Sequence, residues 1–331
     1  MPISTPAAFA SELARATGRF YTQGMPEDTK SLTEGVLSTD EFLTQAQSAG
    51  DEVKRQFRHV LGGFKKGLLF YYFWNVDQVA HVMWRTLDPE HPAYDASADA
   101  KYRHVIGDLY AGLDAVVGEA LDRLDDNTTL IVMSDHGFTS WRRQFHLNTW
   151  LRNHGYLAVI APTSKEDPGD LTNIDWTKTR AYALGLNGLY VNLQSRERFG
   201  IVPEPQRDAL LTEISAKLLQ TVDGATGQRP IARVFSRDEV YREADSRIAP
   251  DLIIGYAKGI RVSNESALGG VSPEVMTDNT SHWSGDHCMD PTAVPGVLFT
   301  SRPLAASTQS LQGLAGAILA EFGLSGFPSS K

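Results

Sequence analysis

The sequence predicts an α/β fold in which a mostly parallel sheet is flanked by helices. Two apolar runs carry that expectation, Leu68-Leu-Phe-Tyr-Tyr-Phe-Trp74 and Thr128-Thr-Leu-Ile-Val-Met133, each short for a helix and rich in aromatic or β-branched residues. Between them Ile106, Leu109, Leu113, Val116, Val117, Ala120, Leu121 and Leu124 recur at helical spacing, which predicts a long amphipathic helix within residues 98–124. A strand, a crossover helix and a second strand in one sheet run parallel, so both strands end on the same sheet edge. Open α/β sheets bind their ligands at that edge.

Composition narrows the function classes. With 331 residues the chain is long enough for a large buried core, and 42% hydrophobic with 21% charged residues is ordinary for a globular protein. Its 31 basic and 40 acidic residues leave a net charge of -9, which argues against bulk nucleic acid or an anionic membrane surface as partner. The single cysteine, Cys288, excludes an intrachain disulfide and says nothing of redox compartment. The longest apolar stretch, residues 68–74, is far shorter than a membrane span. The opening Met-Pro-Ile-Ser-Thr-Pro lacks the basic, apolar and small-residue order of a secretory signal, and compartment and oligomeric state stay open.

Residues 1–60 read as a helical N-terminal segment. Phe9, Leu13 and Ala16 share a helical face that Gly18 can end, Pro26-Glu-Asp suggests a turn, and Ser38 begins a capping box with Glu41. Residues 61–150 read as the α/β core, and residues 151–265 as an insertion or second lobe continuing the sheet. Within that lobe Asp167-Pro-Gly-Asp170 reads as a polar turn. Arg180-Ala-Tyr-Ala-Leu, Gly188-Leu-Tyr-Val-Asn192 and Asp251-Leu-Ile-Ile-Gly255 read as strands, and residues 206–222 as a helix. Residues 266–331 form a last core segment with a strand over 294–300 and a helix from about Ser307 to Phe322.

Chemistry gathers at the strand exits. Asp135 and His136 follow the second apolar run, and buried neighbours of these types need a partner, for which a divalent ion is the simplest shared choice. Ordinary surface or hydrogen-bonded core is the competing reading. Asp77 and His81 follow the first run four residues apart, so on a helix they share a face and one ion, or else serve as a helix cap and a surface imidazole. Near the end, in Ser281-His-Trp-Ser-Gly285-Asp286-His287-Cys-Met-Asp290, His287 is the best third contributor, with Asp286, Asp290 and His282 also available. Gly285 is expected to let the backbone bend so that the neighbouring imidazole aims inward. His146 and His154 read as spare imidazoles. These nitrogen and oxygen donors suit zinc, and manganese or iron also accept them. Two ions about 3.5–4 Å apart hold the attacking and leaving oxygens of a displacement at phosphorus, so hydrolysis of phosphate esters is the reaction class that fits. A metal-free α/β binding protein is the bland alternative.

Asp77-x-x-x-His81, Ser134-Asp135-His136-Gly137 and Ser284-Gly285-x-His287, in that order, resemble the metal-ligand motifs of the alkaline phosphatase superfamily, in its type I phosphodiesterase/nucleotide pyrophosphatase family. Arg180-Ala-Tyr-Ala-Leu-Gly-Leu-Asn-Gly-Leu-Tyr-Val-Asn, Ala249-Pro-Asp-Leu-Ile-Ile-Gly and Trp283-Ser-Gly-Asp-His extend the resemblance over nearly the whole chain. It implies an alkaline-phosphatase-like fold, a small phosphate ester or nucleotide as substrate, and two divalent ions, zinc before manganese or iron. By position Asp77, His81 and His287 resemble the ligands of one ion, and Asp135 with His136 half of the second site. Members of the family carry an earlier strand ending in a metal-binding Asp and then a Thr or Ser nucleophile at a helix start. Residues 1–60 hold no apolar run for that strand, and Thr17, Thr22 and Thr29 do not fit the nucleophile. The chain is therefore expected to be the carboxyl-terminal part of a longer enzyme, missing its first strand and holding an incomplete second site. A non-catalytic metal-binding fragment or pseudoenzyme is the alternative reading, and a phosphatase or phosphoglycerate mutase-like enzyme a more distant one.

Overall fold

The capping box expected at Ser38 is formed in the computed structural model, which describes residues 3–22, 25–162, 170–241, 247–304, 308 and 310–325. Ser38 Oγ accepts the Glu41 N–H and the Glu41 carboxylate accepts the Ser38 N–H, which starts a helix at Thr39–Gly63. The chain divides into two units, Met1–Val79, His104–Gly137 and Pro295–Lys331 in one, Ala80–Arg103 and Phe138–Val294 in the other.

The first unit is mainly helical. Phe9–Thr17 ends where Gly18, at φ 92°, turns its N–H back to the Ala14 carbonyl. A short helix, Thr29–Thr33, capped by Asp28, follows the turn at Pro26. Phe57 of Thr39–Gly63 packs with Val116 and Ala120 of the helix Val105–Leu121 in a small apolar core, against which Leu61, Tyr71, Phe73 and Leu130 lean. This helix is shorter than the periodicity over 98–124 predicts. Upstream, Asp95 caps a separate turn at Ala96–Asp99, and the buried Asp99 carboxylate accepts the Asp95 N–H and pairs with Arg85, so that stretch is held outside the helix.

Residues 68–74 show the period of a strand without the ladder. Leu68, Phe70 and Tyr72 are exposed while Tyr71 and Phe73 face the apolar core, the alternation of an extended chain. Among the described residues, however, the backbone groups of 68–73 make no hydrogen bond. The second run forms a strand only at Ile131–Met133, and its partner is Leu298–Thr300, antiparallel, with Ile131 opposite Thr300. The expected parallel pairing of the two apolar runs is therefore absent among the described residues. Alternation reveals which face of a strand is apolar, and the neighbour is chosen by distant chain. The strand expected over 294–300 is confined to Leu298–Thr300. The last helix is Leu311–Glu321, with Ser310 Oγ accepting the Gly313 N–H, and its expected start at Ser307 lies outside the described residues.

The second unit holds most of the sheet. Four antiparallel strands run in the order Ala181–Ala183, Gly188–Val191, Leu252–Tyr256 and Ile231–Ser236, three of them at the runs near 181, 188 and 252 that read as strands. Helices Leu147–Asn153 and Arg207–Gln220 contribute Trp150, Ile214 and Leu218 to the core beneath, beside Phe145, Ile254 and Tyr256. Arg143–Phe145 pairs parallel to Ile260–Val262 and antiparallel to Met276–Asp278, and Gly285–Asp286 pairs antiparallel with Thr139–Ser140. The architecture is mixed α/β, but its sheets are mostly antiparallel, which corrects the expectation of a mostly parallel sheet. The connections explain this. Ala183 and Gly188 are joined by a short turn that uses Gly185 at φ 77°, and such turns return the chain antiparallel, whereas a parallel neighbour needs a crossover of a dozen residues or more. The turn expected at Asp167 falls in residues 163–169, outside the described residues. No helix among the described residues is long and apolar enough to cross a membrane.

Asp251, within the Ala249-Pro-Asp motif, is fully buried. Its carboxylate accepts the Val191 N–H at 2.7 Å, the Arg196 guanidinium at 2.7 Å and Arg207 Nε at 2.9 Å. Replacing it with Ala removes the acid that two largely buried guanidiniums share, so Asp251→Ala is expected to lower unfolding free energy in urea by about 3–5 kcal/mol.

Candidate metal centre

The candidate ligands lie on three short pieces of backbone, each anchored by its own local chemistry. Asp77 and His81 sit one turn apart on the helix Asn75–Met83, so the sequence spacing places both on one helical face. Asn75 opens that helix and is held by its side-chain amide, which donates to Glu27 at 2.7 Å and to the Ala46 carbonyl at 2.9 Å.

In the first unit Asp77, Asp135 and His136 converge. His136 Nε2 lies 3.5 Å from Asp135 Oδ2 and 3.9 Å from Asp77 Oδ1. The other ring nitrogen, Nδ1, is 2.9 Å from the Gly137 carbonyl oxygen, and donation there puts the lone pair of the neutral ring on Nε2, facing the two carboxylates. Gln78 Nε2 donates to Asp77 Oδ2 at 2.8 Å and steadies it. Ser134, just before the pair, closes the strand end, its N–H donating to the Val297 carbonyl and its Oγ accepting the Val297 N–H. Two carboxylates aimed at one imidazole lone pair form an acceptor-rich cluster that a cation completes.

Beside Asp77 opens a cleft of about 330 Å³ lined by Tyr21, Thr22, Met25, Tyr72, Trp74 and Gln78. The Trp74 Nε1–H is buried with no acceptor among the described residues. Burial, then the charges of Asp135 and Asp77, push the Tyr72 hydroxyl above its usual range. Tyr72 is a site neighbour that reading for metal ligands passes over. Its signal is parity, since residues of even number in the extended segment share its exposed face. Of the three threonines considered above, Thr22 lines this cleft from an irregular segment, Thr17 donates to the Leu13 carbonyl inside its helix, and Thr29 opens the helix Thr29–Thr33.

In the second unit His81 and His287 face each other with ring centroids 5.1 Å apart. Two imidazoles on one tetrahedral zinc, at Zn–N of about 2.0–2.1 Å, place their centroids about 5 Å apart, so the pair fits a shared ion. His81 is 4% exposed. Its Nδ1 is 2.8 Å from the Gly285 carbonyl oxygen, and its ring stacks on Trp283 at 3.9 Å and meets the edge of Phe138 at 4.8 Å.

The alternatives near His287 are committed elsewhere. Asp290 is gripped by Arg233 at 2.5 and 2.6 Å, which holds its carboxyl down at about 2. His282 Nδ1 lies 3.2 Å from Arg85 Nη1, and burial, with Arg85, depresses its pKa. Asp286, His287 and Cys288 bring donor atoms together, and Asp286 is already paired with Arg261 at 2.9 Å. Burial acts to raise the Asp286 pKa but Arg261, with lesser help from His81, the Cys288 amide and Trp283, outweighs it and holds the carboxyl below the usual range. Burial and Asp286 push the Cys288 thiol up to about 12, which leaves it protonated. Of the spare imidazoles, His146 sits between Thr277 and Ser272 hydroxyls and His154 Nδ1 against the Trp150 carbonyl.

Gly285 serves by size. A Cβ there would lie 2.6 Å from Phe138 Cε1 and 2.6 Å from Trp84 Cβ, and its φ is not in the left-handed region, so close approach rather than a bend requires glycine.

The sequence matches the model of one protein family, described as type I phosphodiesterase / nucleotide pyrophosphatase, over residues 15–287, most of the chain. No curated protein and no solved structure matched it.

Two outcomes follow from this geometry. Gly285→Ala is expected to cost about 1–3 kcal/mol of stability in chemical denaturation and to displace His287. Asp290→Asn is expected to lower stability by about 1–2 kcal/mol at pH 5–8, discounted because Arg233 is half exposed. A depressed carboxylate stabilises above its unfolded value of about 3.9, so this difference should vanish between about pH 4 and 2 in acid titrations of wild type against variant.

Proposed function

Because the chain belongs to the type I phosphodiesterase / nucleotide pyrophosphatase family, we propose that it is a metal-dependent hydrolase of phosphate esters. Asp77, His81 and His287 hold one divalent ion in this reading, and Asp135 and His136 contribute to a second. Zinc suits these donors best, and manganese or iron are also accepted by them. The observation that carries the reading is the convergence of Asp77 and Asp135 on the Nε2 edge of His136, at 3.9 and 3.5 Å. When bound, the ions supply positive charge against the oxygens of the phosphoryl group.

The chain's own residues supply orientation and enclosure. The carbonyls of Gly137 and Gly285 set the tautomers of His136 and His81. Gln78 fixes Asp77, and Tyr21, Tyr72 and Trp74 wall the cleft beside it, where the organic group of a small ester or nucleotide would lie.

A second reading, a chain that holds metal without turning over ester, is favoured by one observation. Thr22, a threonine of the cleft, lies outside the helix starts of the described residues, so no helix dipole or N-terminal amides among them activate its hydroxyl.

Elemental analysis of the purified chain, run beside an assay with bis(4-nitrophenyl) phosphate, separates the two. The hydrolase reading expects two ions per chain and a turnover that falls at least about 100-fold in Asp77→Ala and in His287→Ala. One ion without turnover supports the second reading, and no ion at all overturns both. Turnover unchanged in both variants overturns the ligand assignment.

A further inference from the structure

We infer that Asp286 is a positioning residue that sets His81 and His287 for metal binding, held for that task by Arg261. The inference rests on the reading of His81 and His287 as ligands of one ion, and goes beyond it in assigning a group that touches neither metal nor substrate. Asp286 is 1% exposed, and its two carboxylate oxygens reach toward both imidazoles. Oδ1 accepts the backbone N–H of His287 and of Cys288, each at 2.8 Å, which pins the turn from which His287 projects. Oδ2 accepts the Trp283 indole N–H at 2.9 Å, and that indole is the ring stacked on His81 at 3.9 Å. The same oxygen lies 3.9 Å from His81 Nδ1. One carboxylate thus governs the backbone of one ligand and the packing of the other.

A buried carboxylate needs a countercharge, and Arg261 provides it with Nε 2.9 Å from Oδ2. Arg261 is itself 6% exposed, with its guanidinium 4.3 Å over the Trp141 ring and Nη1 donating to Asn264 at 3.0 Å. Metal-ligating histidines are oriented by groups behind them, here the Gly285 carbonyl and the Trp283 ring for His81 and Asp286 for the His287 backbone, and loss of such a group typically costs about 10–100-fold in metal affinity.

The test measures zinc affinity by chelator competition and the visible spectrum of the cobalt-loaded chain, with circular dichroism as the check on folding. Asp286→Ala is expected to weaken zinc binding about 10–100-fold and to alter the cobalt bands, with Asp286→Asn, which keeps an acceptor for the two backbone N–H groups, falling between. Should Asp286→Ala fail to fold, Trp283→Phe decides in its place. It keeps a ring against His81 and withdraws only the indole donor, so weaker zinc binding and a shifted cobalt spectrum are expected. His81→Ala is the control. If it lowers zinc affinity while the folded Asp286 and Trp283 variants match wild type, the positioning role is overturned and the ligand reading stands. If His81→Ala changes nothing, the ligand reading fails and this inference falls with it.

Discussion

A buried carboxylate beside an imidazole pair is the constraint on which the candidate ligands of the second unit depend. Asp286 cannot stay ionised out of water without a matching charge, and Arg261 meets that need from another strand. Once the charge is balanced, the remaining lone pairs hold the His287 turn and the Trp283 indole. Gly285 completes the arrangement by admitting Trp84 and Phe138 to distances that any side chain would forbid.

The same electrostatic rule separates structural acids from candidate ligands. Asp251, Asp290 and Asp286 are all buried, and each is met by arginine, by two guanidiniums for Asp251 and one for each of the others. Asp77 and Asp135 are met by the imidazole of His136 instead, and Asp135 is more than half exposed. A guanidinium meets a carboxylate with a fixed positive charge, whereas a neutral imidazole offers it a lone pair and so leaves room for a cation. Of the acids near His287, this distinction sets Asp286 and Asp290 among the structural ones, where sequence reasoning had them available as ligands.

The extended segment 68–74 shows how far local pattern reaches. Its side chains alternate in exposure, Tyr71 and Phe73 lie half-buried against the apolar core, and the segment leads into the short helix that carries Asp77. Its side chains obey the period of a strand, while its backbone has no ladder partner among the described residues. The two properties are separable because side-chain alternation follows from an extended chain alone, whereas hydrogen bonds need a second segment at about 4.8 Å. That cleft-facing aromatic surface, with Tyr72 beside two acids, is the part of the site that a search for ligand types overlooks.

The sequence by itself determined the features that depend on neighbours a few residues away. The capping box at Ser38, the stop at Gly18, the one-turn spacing of Asp77 and His81 and the strands at 181, 188 and 252 were all legible, since each is set by local backbone chemistry or by a short period. Only the tertiary structure decided pairing and charge balance. Ile131–Met133 finds Leu298–Thr300 rather than the earlier apolar run, and Arg233 and Arg261 reach Asp290 and Asp286 across long stretches of sequence. Hydrogen-bond ladders and ion pairs are chosen by proximity in space, and one-dimensional spacing carries no record of which distant segment will stand alongside.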